Sequence, residues 1–160
     1  MKYLPITATA AAALLGALVW FSAFADPLVA DAVRIEDPYA RAVPPGQPNS
    51  AVFMVIENTG PTPVAVVAAE SPAAATVELH THRMADGMMQ MRRIERIELP
   101  AGESVALAPG GLHVMLIGLT ETLAPGMEVP LTLVFDDGGR AEVTAPVRHV
   151  QPMMQGHEQH

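Results

Sequence analysis

The chain reads as all-β, a single domain built as a Greek-key sandwich or barrel, on three observations. Apolar residues recur with a period of two in short runs, as in Leu112-His113-Val114-Met115-Leu116, so side chains alternate between a buried and an open face. Turn words rich in glycine and proline separate these runs at close intervals: Asn58-Thr59-Gly60-Pro61, Asp86-Gly87, Leu99-Pro100-Ala101-Gly102, Pro109-Gly110-Gly111 and Asp136-Asp137-Gly138-Gly139. Helical periodicity is almost missing beyond residue 25, and no internal repeat breaks the pattern.

Residues 1–25 form an expected signal peptide. Lys2 precedes an apolar run over residues 8–24, and Ala23-Phe24-Ala25 places small residues where a signal peptidase cuts, before Asp26. The competing reading, a retained anchor, rests on the length of the apolar run; the small-x-small site favours cleavage. What remains, a β domain over 26–147 and a tail over 148–160, suits one domain with a sizeable core, placed in the periplasm and off the membrane after cleavage. All 17 acidic residues lie beyond Ala25 and the chain carries a formal net charge of −8, which argues against nucleic acid and anionic membranes as partners. Cysteine is absent. That excludes disulfides and every thiolate metal site, the His2Cys blue-copper centre included.

Val33-Arg34-Ile35 predicts a short first strand, followed by Asp37-Pro38-Tyr39-Ala40-Arg41-Ala42 and a proline-dense break at Val43-Pro44-Pro45-Gly46-Gln47-Pro48 that reads as an irregular loop. Residues 50–58, mostly apolar with β-branched and aromatic members, predict a central strand in which Met54 fills core space. Residues 64–69 form the next strand. The strand over 76–80 buries Val77 and Leu79 and sends His80 to the side of Thr76 and Glu78. Asp86-Gly87 suits a tight hairpin turn that returns the chain antiparallel through Met88-Met89-Gln90-Met91, bringing distant ligands together. Residues 104–108 are a short strand, and Pro109-Gly110-Gly111 delivers the chain into His113. Residues 120–127 predict a loop or a single helical turn with Met127 as packing, and residues 129–135 and 140–147 a last hairpin.

Histidine and methionine stand where an ordinary β protein would use plain polar residues. His113 and Met115 share the face opposite Leu112, Val114 and Leu116, and an outward thioether adds no stability unless something covers it. Taken singly each signal is weak, since a lone surface histidine is ordinarily solvated and Met88, Met89 and Met91 could equally make a patch for another protein. Together, imidazole and thioether without thiolate suit Cu(I), a soft ion that needs no charged ligand; zinc would ask for thiolate or carboxylate.

From His80, ten residues intervene before Met91, twenty-one more before His113, and one before Met115. This H-x10-M-x21-H-x-M spacing, with the words V-E-L-H, D-G-M-M-Q-M-R, L-P-A-G and P-G-G-L-H-V-M-L, resembles the PCu(A)C family of periplasmic copper chaperones over residues 35–147. The resemblance implies a cupredoxin-like β domain that is not an enzyme and holds one Cu(I) at an exposed edge through His80, Met91, His113 and Met115. It implies delivery towards the CuA centre of cytochrome c oxidase, so the partners expected are the CuA subunit and a thioredoxin-fold assembly factor, the chaperone itself being a monomer. Many members have methionine where this chain has His82. His82, Met84, Met88 and Met89 are therefore auxiliary candidates. Copper storage or resistance is the alternative within the same chemistry. A copper-dependent oxidoreductase is the alternative outside it, with no evident acid–base or nucleophilic constellation to support it.

The tail changes composition. His149, Met153, Met154, His157 and His160 fall in its last twelve residues. Such a segment is either a plain polar end or a second metal-capturing stretch, with imidazoles suited to Cu(II).

Overall fold

The computed structural model describes residues 29–150; the expected leader and the tail beyond Val150 lie outside them. After a 3-10 turn, Val29–Ala32, ten strands follow: β1 (Val33–Arg41), β2 (Asn49–Asn58), β3 (Val64–Glu70), β4 (Ala74–Ala85), β5 (Met88–Ile94), β6 (Ile97–Leu99), β7 (Ser104–Leu107), β8 (His113–Leu119), β9 (Glu128–Phe135) and β10 (Arg140–Arg148). No α-helix occurs among the described residues, and the all-β expectation is borne out. Hydrogen bonding orders the strands β5-β4-β8-β2-β1-β10-β9-β3-β6, with β7 also on β2. The β1–β10 pair is parallel, joining Ala40 to Val147 and Arg41 to Arg148.

β2 is the central strand that its composition predicts. One edge pairs with β1, while the other is shared between β8 at its first half and β7 at its second. Its inward residues Val52, Met54 and Ile56 meet Val114 and Leu116 of β8, Leu131, Leu133 and Phe135 of β9, and Val143, Ala145 and Val147 of β10 in one core. These are the period-two positions of each strand; in β9 and β10 the alternation read from the sequence is the alternation of burial, while in β2 Ala51 and Phe53 are buried as well. Met54 is 2% exposed, as expected of core filler. The buried Asn58 closes the end of β2: its Nδ2 donates to the Thr62 and Leu99 carbonyls at 2.8 and 3.0 Å, and its Oδ1 accepts from the Gly60 amide.

Three local expectations are corrected. The first strand does not stop at Ile35: Asp37 takes φ 43 and the register shifts between Glu36 and Tyr39, so a bulge absorbs Asp37-Pro38 and β1 resumes. β4 runs on past His80 to the hairpin. Ile97–Leu99 is a strand too short to announce itself, held by pairing with β3 and by the burial of Ile97 and Leu99. Residues 120–127 take the loop of the two expected alternatives: the chain bends at Pro125 and Gly126, the latter at φ 91, while Leu123 plugs the core and Met127 packs against it as expected.

The Asp86-Gly87 turn forms as expected. Both residues have positive φ, 51 and 75, the signature of a type I′ hairpin turn, and Ala85 faces Met88 directly across it. This two-residue loop sets the register of everything on the hairpin.

Candidate metal centre

β5, β4 and β8 lie side by side, and register decides which side chains share a face, because residues directly opposite in an antiparallel pair point to the same side. His80 stands opposite His113, Glu78 opposite Met115, His82 opposite Met91, and Met84 opposite Met89. One face therefore gathers His113 and Met115 from β8, His80, His82 and Met84 from β4, and Met89 and Met91 from β5. The four expected ligands are all on it. Met88 is not: it pairs with Ala85 on the opposite face and is 63% exposed, which removes it from the auxiliary candidates. His149 lies exposed just past the end of β10, a strand separated from β8 by β2 and β1. Met153, Met154, His157 and His160 lie outside the described residues.

The three imidazoles are neighbours. Ring centroids are 5.2 Å apart for His82 and His113, and 5.8 Å for His80 and His113. A face open around His113 is what alternation alone predicts, yet His113 is 2% exposed. The difference comes from a neighbouring strand: Phe53 of β2 brings its ring within 6.2 Å of His113, and Tyr39 and the Arg41 guanidinium stack on Phe53 in turn. His113 Nδ1 lies 3.0 Å from the Gly111 carbonyl and donates to it, which leaves Nε2 as the nitrogen with a free lone pair. Burial pushes the His113 pKa below the ordinary histidine value; the Gly111 bond works against this, and the charges of His82, His80 and Arg41 add to it. A neutral imidazole with one lone pair oriented is the form a metal requires.

On β4 the same device takes a carboxylate. His80 Nε2 sits 2.7 Å from Glu78 Oε2 and donates to it. That bond is the main cause holding Glu78 below its usual carboxylate range, against a smaller opposing effect of burial and with help from Arg93 at 3.7 Å. With its proton on Nε2, His80 keeps its lone pair on Nδ1. This atom is buried and has no hydrogen-bond partner, and neither has Nδ1 of His82. Buried ring nitrogens left unpaired are costly, and a metal ion is a partner that relieves the cost. A carboxylate that fixes the ring and raises its basicity is a common companion of a metal-binding histidine.

The face opens as a cleft of about 420 Å³ whose walls include His82, Met89, Met91, His113 and Met115, with Arg41 and Phe53 beside them. Met91 is 46% exposed and Met89 59%, so the thioethers of β5 stand at the mouth while His113 closes the floor. Among the described residues no three side chains of histidine, cysteine, aspartate or glutamate are gathered to hold a metal. The donors that this face does gather are imidazole and thioether, neutral and soft, and they fit Cu(I). Two supports escape the sequence reading: the Gly111 carbonyl behind His113 and the Glu78 carboxylate behind His80. The second had a local signal, since Glu78 and His80 are two residues apart on a strand and so share a face.

A profile of the LpqE-like family, described as "Putative lipoprotein LpqE-like", matches residues 33–147. A protein of Leifsonia xyli subsp. xyli, "Putative lipoprotein Lxx21020", is 36% identical over 120 residues, which are 74% of this chain and 71% of that protein. Among solved structures, the copper-bound PCuAC domain from PmoF2 superposes with a TM-score of 0.63 at 27% identity, covering 74% of this chain and 94% of that one. The Cu(I) form of DR1885 from Deinococcus radiodurans superposes with a TM-score of 0.55 at 33% identity, covering 74% and 81%. These likenesses bear out the expected cupredoxin-like fold.

Proposed function

We propose a copper-carrying role for this chain, which belongs to the LpqE-like family: it is a periplasmic copper chaperone, not an enzyme, that binds one Cu(I) as cargo and passes it towards the CuA centre of cytochrome c oxidase. His80, Met91, His113 and Met115, the H-x10-M-x21-H-x-M residues, hold the ion. The observation that carries the reading is the strand register, which puts two imidazoles and two thioethers on one face with the His80 Nδ1 lone pair buried and unpartnered. The solved PCuAC domain with copper bound, and the Cu(I) form of DR1885, support it.

The geometry suits a carrier. Four neutral ligands leave the ion its single positive charge, which is tolerable close to solvent and close to the Glu78 carboxylate. His113 is held from behind by Gly111 and is buried, so it is the fixed donor; Met91, on the edge strand and half exposed, is the donor that an acceptor reaches first. Transfer then proceeds by exchange of one ligand at a time. The chain has no thiol, so reduction of acceptor cysteines falls to another protein, for which a thioredoxin-fold assembly factor is the expected partner. The lipoprotein descriptions belong to the relatives. Among the described residues no helix is long and apolar enough to cross a membrane.

Competition titration with a chromophoric Cu(I) chelator tests the binding, and incubation of the loaded protein with an apo CuA domain plus a reductant tests the delivery. One Cu(I) per chain and a CuA spectrum that grows in as the donor empties are expected. Parental Cu(I) affinity in the Met91→Ala/Met115→Ala double variant would overturn the ligand assignment.

A further inference from the structure

We infer that His82 is a copper ligand of this chain and that it exchanges with His80 as the second imidazole beside His113. The inference rests on the copper reading above and adds a donor to it. Four observations converge on His82. It lines the cleft together with Met89, Met91, His113 and Met115. Its register partner is Met91. Its ring centroid is 5.2 Å from that of His113, against 5.8 Å for His80. Its Nδ1 is buried with no hydrogen-bond partner, a state that a purely structural histidine would avoid.

His80 and His82 are two residues apart on one strand, so their rings stand on the same face about 7 Å apart along β4, flanking His113. An ion resting on His113 and Met115 meets His80 on one side, where Glu78 fixes the ring from behind. On the other side it meets His82, with Met91 opposite and Met89 at the mouth. In the exchange one copper–nitrogen bond forms as the other breaks, with no electron or proton transferred. The inner position keeps the cargo beside the Glu78 carboxylate. The outer one carries it to the exposed thioethers of β5, where an acceptor can reach it.

The experiment compares the parent, His80→Ala, His82→Ala and the double variant, with Met115→Ala as reference. Each is examined by Cu(I) competition titration, by the rate of copper loss to a chelator, and by X-ray absorption of the loaded protein to count nitrogen and sulfur donors. Because the imidazoles substitute for each other, each single variant should lose less than about tenfold in affinity and the double about a hundredfold or more. Copper release should slow severalfold in His82→Ala, and its nitrogen count should fall only on the His80→Ala background. His82→Gln, which keeps a polar side chain of similar reach, is the second variant should alanine fail to fold. If His82→Ala releases copper as the parent does, and the double variant matches His80→Ala in affinity and nitrogen count, His82 is not a ligand. Unchanged binding in Met115→Ala and in the Met91→Ala/Met115→Ala double variant would instead overturn the four-ligand assignment on which the inference rests, so the two failures are distinguishable.

Discussion

Alanine at Met54 and at Met91 should separate stability from copper affinity, although the two substitutions are chemically identical. Met54 is 2% exposed and packed in the core, so its truncation removes buried apolar surface and leaves a cavity, at a cost of about 2–5 kcal/mol. For a domain of this size each kcal/mol moves Tm by roughly 3–5 °C, so the apo protein should melt roughly 6–25 °C lower. Met91 is 46% exposed on an edge strand. Only about half of a methionine's burial energy of roughly 1.5–3 kcal/mol is at stake there, with no closed cavity, so its loss costs about 1 kcal/mol and a few degrees. Copper reverses the order. Met91→Ala deletes a soft donor and should weaken Cu(I) far more than Cu(II), while Met54→Ala leaves the preference intact. The stabilisation by bound copper shrinks by about 1.4 kcal/mol for each tenfold lost in affinity. Calorimetric melts of the apo and Cu(I)-loaded proteins under reducing conditions, alongside chelator competition, read both quantities. Parental Cu(I) affinity in Met91→Ala and Met115→Ala, singly and together, or a copper defect in Met54→Ala as large as theirs, would refute the reasoning.

Gly87→Ala places a Cβ at φ 75, where nothing lies within 4 Å, so the cost is backbone strain of about 1–2 kcal/mol. Gly138→Ala, at φ 86 and equally open, should cost the same in a melt, but only Gly87→Ala should also lower Cu(I) affinity, because that turn sets Met91 against His82. The depressed pKa of His113 means that below the ordinary value of 6.5 the unfolded chain takes up a proton that the fold resists. Apo stability is therefore present above that value and lost as pH falls towards the folded pKa; melts between pH 7 and 5 should show the decline, and His113→Gln should flatten it. Truncation after Val150 keeps the Arg148–Asp37 bond of 2.8 Å and removes Met153, Met154, His157 and His160. Paired titrations should then show a lower Cu(II) stoichiometry with Cu(I) binding retained, and unchanged Cu(II) binding would return the tail to a plain polar end.

Much of this protein is written locally. Alternation of apolar residues predicts β8, β9 and β10, because burial in a strand has a period of two and needs no knowledge of the partner, and the mostly apolar, β-branched run over residues 50–58 predicts β2. Asp86-Gly87 predicts its hairpin because the positive φ of a type I′ turn selects those residues. Even the exclusion of Met88 follows from that turn, since a two-residue loop pairs it with Ala85. The softness of the donors is likewise a property of residue type alone. What the linear chain does not carry is the pairing of β4 with β8, which sets His80 against His113. Those strands are far apart in sequence, and no turn links them; their register is fixed by the joint burial of Leu79, Val114 and Leu116 in a core to which most strands contribute. The roof over His113 has the same origin. Phe53 reaches that histidine only because β2 lies beside β8, and so it is tertiary packing that turns an outward-facing residue into the buried floor of the cleft. The choice between His80 and His82 belongs there too, because both share one strand face and only the positions of Glu78, Met91 and His113 around them make the two rings different.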